Sequence, residues 1–170
     1  MLIDYHVHNH FSPDSDADSA DMLKNLRKEG VLDMCFTNHG EWFDHEKGDH
    51  IGKCDLYEAM RRLESVLWEI EQLRPTFPEL KIRFGAEITY SPQDLSNIEQ
   101  WIKDTPFDFL LSSVHNVMGH IITTHLDAPA YFKEKNEEEA YLPYFEQLID
   151  MVKWGQFDAV AHLDVIKKYG

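Results

Sequence analysis

A chain of 170 residues with 43% hydrophobic and 12% aromatic content can bury one sizeable core, which excludes a disordered polymer and favours a single domain. Its formal net charge of −15 excludes the basic patch that grips a nucleic-acid backbone. No run of about eighteen apolar residues occurs, and the start MLIDYHVHNH has neither a basic nor an apolar leader region, so the expectation is a cytoplasmic protein without a membrane span.

The first element, Leu2–Val7, is a short apolar run of the kind buried on both faces of a parallel sheet. It ends in His6-Val7-His8, where period-two alternation puts both imidazoles on one face, able to chelate one ion. Asp14 follows closely enough to fold back over that pair; the competing reading is a solvated acid or helix cap among Asp16, Asp18 and Asp21. After a helix over Ser19–Glu29, the second strand, Val31–Thr37, runs into Asn38-His39-Gly40-Glu41 and puts His39 at its tip. Cys35, inside this strand, and Cys54 share no metal or redox spacing and read as reduced structural thiols. The polar loop Trp42–Asp55 carries His45 and His50, and the helix Leu56–Leu73 shows an apolar stripe of Leu56, Met60, Leu63, Leu67 and Ile70.

The third strand, Ile82–Thr89, contains Glu87 in an otherwise apolar run. Burying that carboxylate without a counter-charge is expensive, so a cation partner is expected. Arg83, two residues earlier on the same face, is the alternative partner but lies too deep. A helix over Asp94–Ile102 leads to the fourth strand, Phe107–Val114, and to His115. A second polar loop, Asn116–Asn136, carries His120 and His125, both read as solvated. The last helix, Glu137–Trp154, has an apolar stripe of Tyr141, Tyr144, Phe145, Leu148, Ile149 and Val152, and the fifth strand, Phe157–Ala161, ends in His162-Leu163-Asp164.

Strand and helix in regular alternation imply right-handed βαβ units, hence a parallel barrel or a doubly wound sheet, with reactive groups at the carboxyl ends of the strands. Each of the five strand ends carries a histidine or a glutamate. Imidazole and carboxylate without thiolate suit zinc, manganese or iron. Ions held there also reverse the local field of an acidic chain, admitting an anionic substrate.

The motifs H-x-H-x-x-F-S-x-D, T-N-H-G, G-x-E, S-S-V-H and A-H-L-D-V-I-K-K-Y, in this order, resemble those of the PHP (polymerase and histidinol phosphatase) family, above all its histidinol-phosphate phosphatases. The resemblance implies an α/β fold, a distorted (β/α)7 TIM-like barrel of which this chain covers about the first five βα units. It implies two or three divalent metals (Zn, Mn or Fe) and two-metal hydrolysis of a small phosphorylated metabolite, L-histidinol phosphate. His6, His8 and Glu87 then fall on a first metal, Glu87, His115 and His162 on a second, and Asp14 and His39 on a third. The family's later Asp-x-His does not occur before Gly170, so residues 1–170 are expected to form one domain incomplete at its C-terminal end. No arginine follows Arg83, leaving Lys133 and Lys135 to hold phosphate. His10 is the candidate outer proton donor, and Asp164 either orients His162 or caps the next turn. The rival readings are another PHP phosphoesterase acting on nucleotides or diesters, an amidohydrolase-like C–N hydrolase, and a non-catalytic metal-binding module.

Overall fold

The computed structural model describes residues 2–40 and 56–170. The expected loop Trp42–Asp55, with His45, His50 and Cys54, lies outside the described residues, as does Glu41. The chain runs β1 (Leu2–Val7), α1 (Ser19–Lys28), β2 (Val31–Phe36), α2 (Leu56–Leu73), β3 (Lys81–Thr89), α3 (Leu95–Asp104) and β4 (Phe109–Ser113). A hairpin of β5 (Asn116–Val117) and β6 (His120–Ile121) follows, then α4 (Ala128–Phe132), α5 (Glu137–Trp154) and β7 (Ala159–Val160).

Local chemistry sets the helix ends. Asp18 caps α1 by accepting from the Asp21 N–H at 2.9 Å. At the start of α5, Asn136 and Glu139 exchange side-chain and backbone bonds in a capping box, and Gly155 ends the helix at φ 64°.

The five long-range strands are all parallel and lie in the order β1-β2-β3-β4-β7. Each connection therefore steps to the adjacent strand without reversing direction. A doubly wound sheet reverses at a switch point; an unreversed order is that of a barrel wall, and the sheet is curled accordingly. Gly85 sits where β3 passes closest to its neighbours. A Cβ there would stand 2.3 Å from the Phe109 carbonyl oxygen and 2.7 Å from Cys35 Sγ, so the sheet closes only over glycine.

One core packs α1, α2 and α3 on the sheet through Leu23, Leu63, Ile70, Ile98 and Trp101; a second gathers Tyr131, Tyr144, Met151 and Ile166 beneath α4 and α5. Among the described residues no helix is long and apolar enough to cross a membrane. Two expectations are corrected. The loop Asn116–Asn136 contains the β5–β6 hairpin and α4, and His120, read as solvated, is half-buried with Nδ1 2.9 Å from Asp127 Oδ1. On α5 the buried row is Ala140, Tyr144, Leu148 and Met151, whereas Phe145, Ile149 and Val152 are exposed. The helix has two apolar faces, and only one meets the second core.

Candidate metal centre

The strand register decides what meets at the carboxyl end of the sheet. Beyond β2 the chain keeps pairing with β3: the Glu87 N–H donates to Asn38 O at 3.1 Å and the Gly40 N–H to Glu87 O at 2.8 Å. His39 is thereby set beside Glu87. On the other side, the Ala161 N–H donates to Ser112 O at 3.0 Å, which sets His162 one residue past the sheet and next to His115.

Glu87 is the hub. Its side chain is 1% exposed, and its two oxygens serve different partners. Oε2 lies 3.0 Å from His6 Nε2, 3.2 Å from His8 Nε2 and 3.5 Å from His39 Nδ1. Oε1 lies 3.2 Å from His115 Nε2 and 3.1 Å from His162 Nε2, and those two nitrogens are 3.0 Å apart. Asp14 closes the far side, 3.2 Å from His8 Nδ1 and 3.3 Å from His39 Nε2, with Ser12 Oγ donating to it at 2.6 Å. Burial pushes the Glu87 carboxyl upward, but the surrounding histidines, His115 and His162 foremost, hold it well below the usual range. Asp14 behaves alike: burial raises it, and His39, His8 and Ser12 bring it far down. Burial lowers His8, but Asp14 and Glu87 outweigh it and raise the imidazole above its usual value.

These contacts fit metal ions better than they fit a hydrogen-bond network. His8 Nε2 and Glu87 Oε1 are buried and within 3.2 Å of their neighbours, yet neither has a hydrogen bond of acceptable geometry. Lone pairs that converge on a shared point give this arrangement. Around an ion bound at roughly 2.0–2.1 Å, tetrahedral ligand atoms stand about 3.3 Å from one another, close to the spacings of Glu87, His115 and His162. Three groups of ligand atoms lie within reach of a common ion: His6, His8 and Glu87; His8, Asp14 and His39; and His39, Glu87 and His115. His8, His39 and Glu87 each belong to two of them, so the division of ligands implied by the motifs is one of several that this geometry admits.

All seven expected ligand residues thus border one cavity of about 320 Å³. Arg83 does not reach Glu87; it forms a two-point pair with Asp33 at 2.7 and 3.0 Å. Lys133 and Lys135 do not line the cavity: Lys133 lies 3.8 Å from Glu134, and Lys135 sits over the Tyr131 ring and donates to its carbonyl. The lysine that lines it is Lys168, in the Lys167-Lys168-Tyr169 end of the last motif. His10 faces Glu69 at 3.8 Å rather than the cavity. Asp164 is exposed and approaches Lys167 at 3.4 Å; His162 Nδ1 has no hydrogen-bond partner, so Asp164 does not orient it, nor does the Asp164 side chain cap the following turn. Among the described residues, Thr89 orients a cluster histidine, its Oγ1 lying 3.0 Å from His115 Nδ1, with Ser113 Oγ at 3.4 Å from the same nitrogen.

A family model described as the PHP domain matches residues 4–170. The chain is 27% identical over 169 residues to a histidinol-phosphatase of Lactococcus lactis, covering 99% of this chain and 58% of the relative. It is 23% identical over 176 residues to a probable histidinol-phosphatase of Deinococcus radiodurans, covering 99% and 63%. A crystal structure of the Lactococcus lactis histidinol phosphate phosphatase complexed with zinc, L-histidinol and phosphate superposes with a TM-score of 0.81 at 27% identity, over 99% of this chain and 60% of that one. A putative histidinol phosphatase of Listeria monocytogenes shares the fold, with a TM-score of 0.68 at 18% identity over 89% of this chain and 61% of that one. The chain spans about three-fifths of the length of these relatives.

Proposed function

Because the chain belongs to the PHP domain family, we propose that its strand-end cluster holds at least two divalent metal ions and serves the hydrolysis of a phosphomonoester, L-histidinol phosphate, to L-histidinol and phosphate. One observation carries the reading: the two oxygens of the buried Glu87 face separate groups of histidines, His6 and His8 on one side, His115 and His162 on the other. A carboxylate so placed would hold one cation with each group of histidines. Zinc is the favoured ion, since the Lactococcus lactis relative was crystallised with zinc, L-histidinol and phosphate; manganese and iron suit the same ligands.

Divalent ions held there supply Lewis acidity toward the phosphoryl oxygens. The chain's own residues do the rest. Glu87 and Asp14 bring the negative charge that retains cations, and the burial of Glu87 keeps its charge from being spent on solvent. Thr89 accepts from His115 Nδ1, which fixes the tautomer presenting Nε2 to the cluster. Lys168 and Thr123, which line the same cavity as Glu87, would offer an ammonium and a hydroxyl to the phosphate end of a substrate.

Phosphate release by the zinc-loaded chain tests the reading. L-Histidinol phosphate is expected to be turned over faster than a phosphodiester, and removal of zinc to abolish turnover. Faster diester hydrolysis would assign the site to a nuclease-like reaction, and full zinc occupancy with no turnover of either ester would make it a non-catalytic module.

A further inference from the structure

Behind the ligand histidines lies a buried polar unit to which the reading above assigns no role. Asn9 follows His8 and Asn38 precedes His39, and both asparagines are buried, at 0% and 1% exposure. The Asn9 N–H donates to Asn38 Oδ1 at 3.1 Å and Asn38 Nδ2 donates back to Asn9 Oδ1 at 2.5 Å, a reciprocal pair that ties the end of β1 to the end of β2. Asn9 Oδ1 also accepts from the Phe11 N–H at 3.1 Å. Asn9 Nδ2 donates to Ser19 Oγ at 2.8 Å and to Glu69 Oε2 at 3.2 Å, and Ser19 Oγ donates to the same Glu69 oxygen at 2.5 Å. The unit therefore joins both strand ends to the start of α1 and to α2. A satisfied buried network of this kind fixes its members in one arrangement.

A ligand histidine is ordinarily oriented through its second ring nitrogen, as Thr89 does for His115. His8 and His39 lack that option. His8 turns Nε2 to Glu87 and Nδ1 to Asp14, and His39 turns Nδ1 to Glu87 and Nε2 to Asp14. With both nitrogens of each ring facing the cluster, their aim has to be set from the backbone. The residues adjoining them in sequence are the two asparagines, whose side chains alternate to the opposite side.

We propose that Asn9, Asn38 and Glu69 are positioning residues that set the separation and aim of His8 and His39 for the ion they share with Asp14. This rests on the metal-centre reading of the site. The test is zinc affinity, measured by competition against a chromogenic chelator, for the parent chain and for Asn9→Ala, Glu69→Ala, Glu69→Gln and Met151→Ala. Asn9→Ala and Glu69→Ala are expected to weaken the least tightly held zinc by about 10–100-fold. Glu69→Gln, whose amide oxygen still accepts from Ser19 and Asn9, is expected to bind like the parent. Met151→Ala, which opens the second core, is expected to lower the melting temperature and leave zinc affinity unchanged. Should Asn9→Ala fail to fold, Glu69→Ala, at a partly exposed position, decides alone. Parent-like affinity in Asn9→Ala and Glu69→Ala, or an equal loss in Met151→Ala, overturns the proposal and leaves the metal centre standing. A parent chain that takes up no zinc overturns the metal-centre reading itself, and this one with it.

Discussion

A single carboxylate organises the candidate centre, and a single substitution addresses it. Glu87→Gln keeps the shape of the side chain but removes the charge that neutralises two cations, so it is expected to cost more bound metal than any other change among the described ligands; elemental analysis after dialysis reads the loss. Retention of full metal content would show that Glu87 does not bridge. The second buried acid, Asp33, behaves differently because its counter-charge is built in. Hydrogen bonding to Arg83 holds its carboxyl below its ordinary 3.8, and a bond from Tyr5 adds to this against the opposing effect of burial. A depressed folded-state pKa contributes stability that is complete above the unfolded value and lost as pH falls through it toward the folded one. Asp33→Asn is therefore expected to lower stability by about 1.5–3 kcal/mol at pH 7, and the gap to the parent in urea midpoints should shrink below pH 3.8. A gap that is independent of pH would contradict this.

At the scale of elements, the chemistry of the centre depends on strands passing close together, which Gly85 permits. Gly85→Ala places a methyl group against the Phe109 carbonyl. The two backbones must move apart, at a cost of roughly 1–3 kcal/mol or more, and the displacement reaches Glu87 two residues on. The variant is expected to melt earlier and to bind less zinc; unchanged values for both would mean that the sheet relaxes freely there. The strands were legible because each is a short apolar run closed by a metal-competent residue, and the helices because their caps and periods are strong. The β5–β6 hairpin was not, since two-residue strands carry no period. On α5 both apolar faces share the helical repeat, so Ile149 and Val152 read as core as plainly as Tyr144 and Leu148. The Asn9–Asn38 pair escaped for another reason: 29 residues separate the two amides, and only the register of β1 against β2 brings them together. Sequence points to Lys133 and Lys135 rather than Lys168 because a lysine's reach depends on where its turn docks, which spacing does not record.

For the whole molecule, a net charge of −15 and a cluster of histidines around the buried Glu87 and the more exposed Asp14 mean that folding and cation binding reinforce each other. A ligand at one hundred times its dissociation constant adds about 2.7 kcal/mol to the folded state, which for a chain of this size raises the melting temperature by roughly 5–11 °C. Zinc should produce such a shift, and magnesium, which prefers all-oxygen sites, should not. The most direct test of the account is the zinc content of the purified chain beside that of Glu87→Gln, after both are dialysed against the same zinc buffer. The account predicts about two or more tightly held ions per chain and the loss of most of that metal in the variant. Equal metal in both chains, or none in the parent, would contradict it.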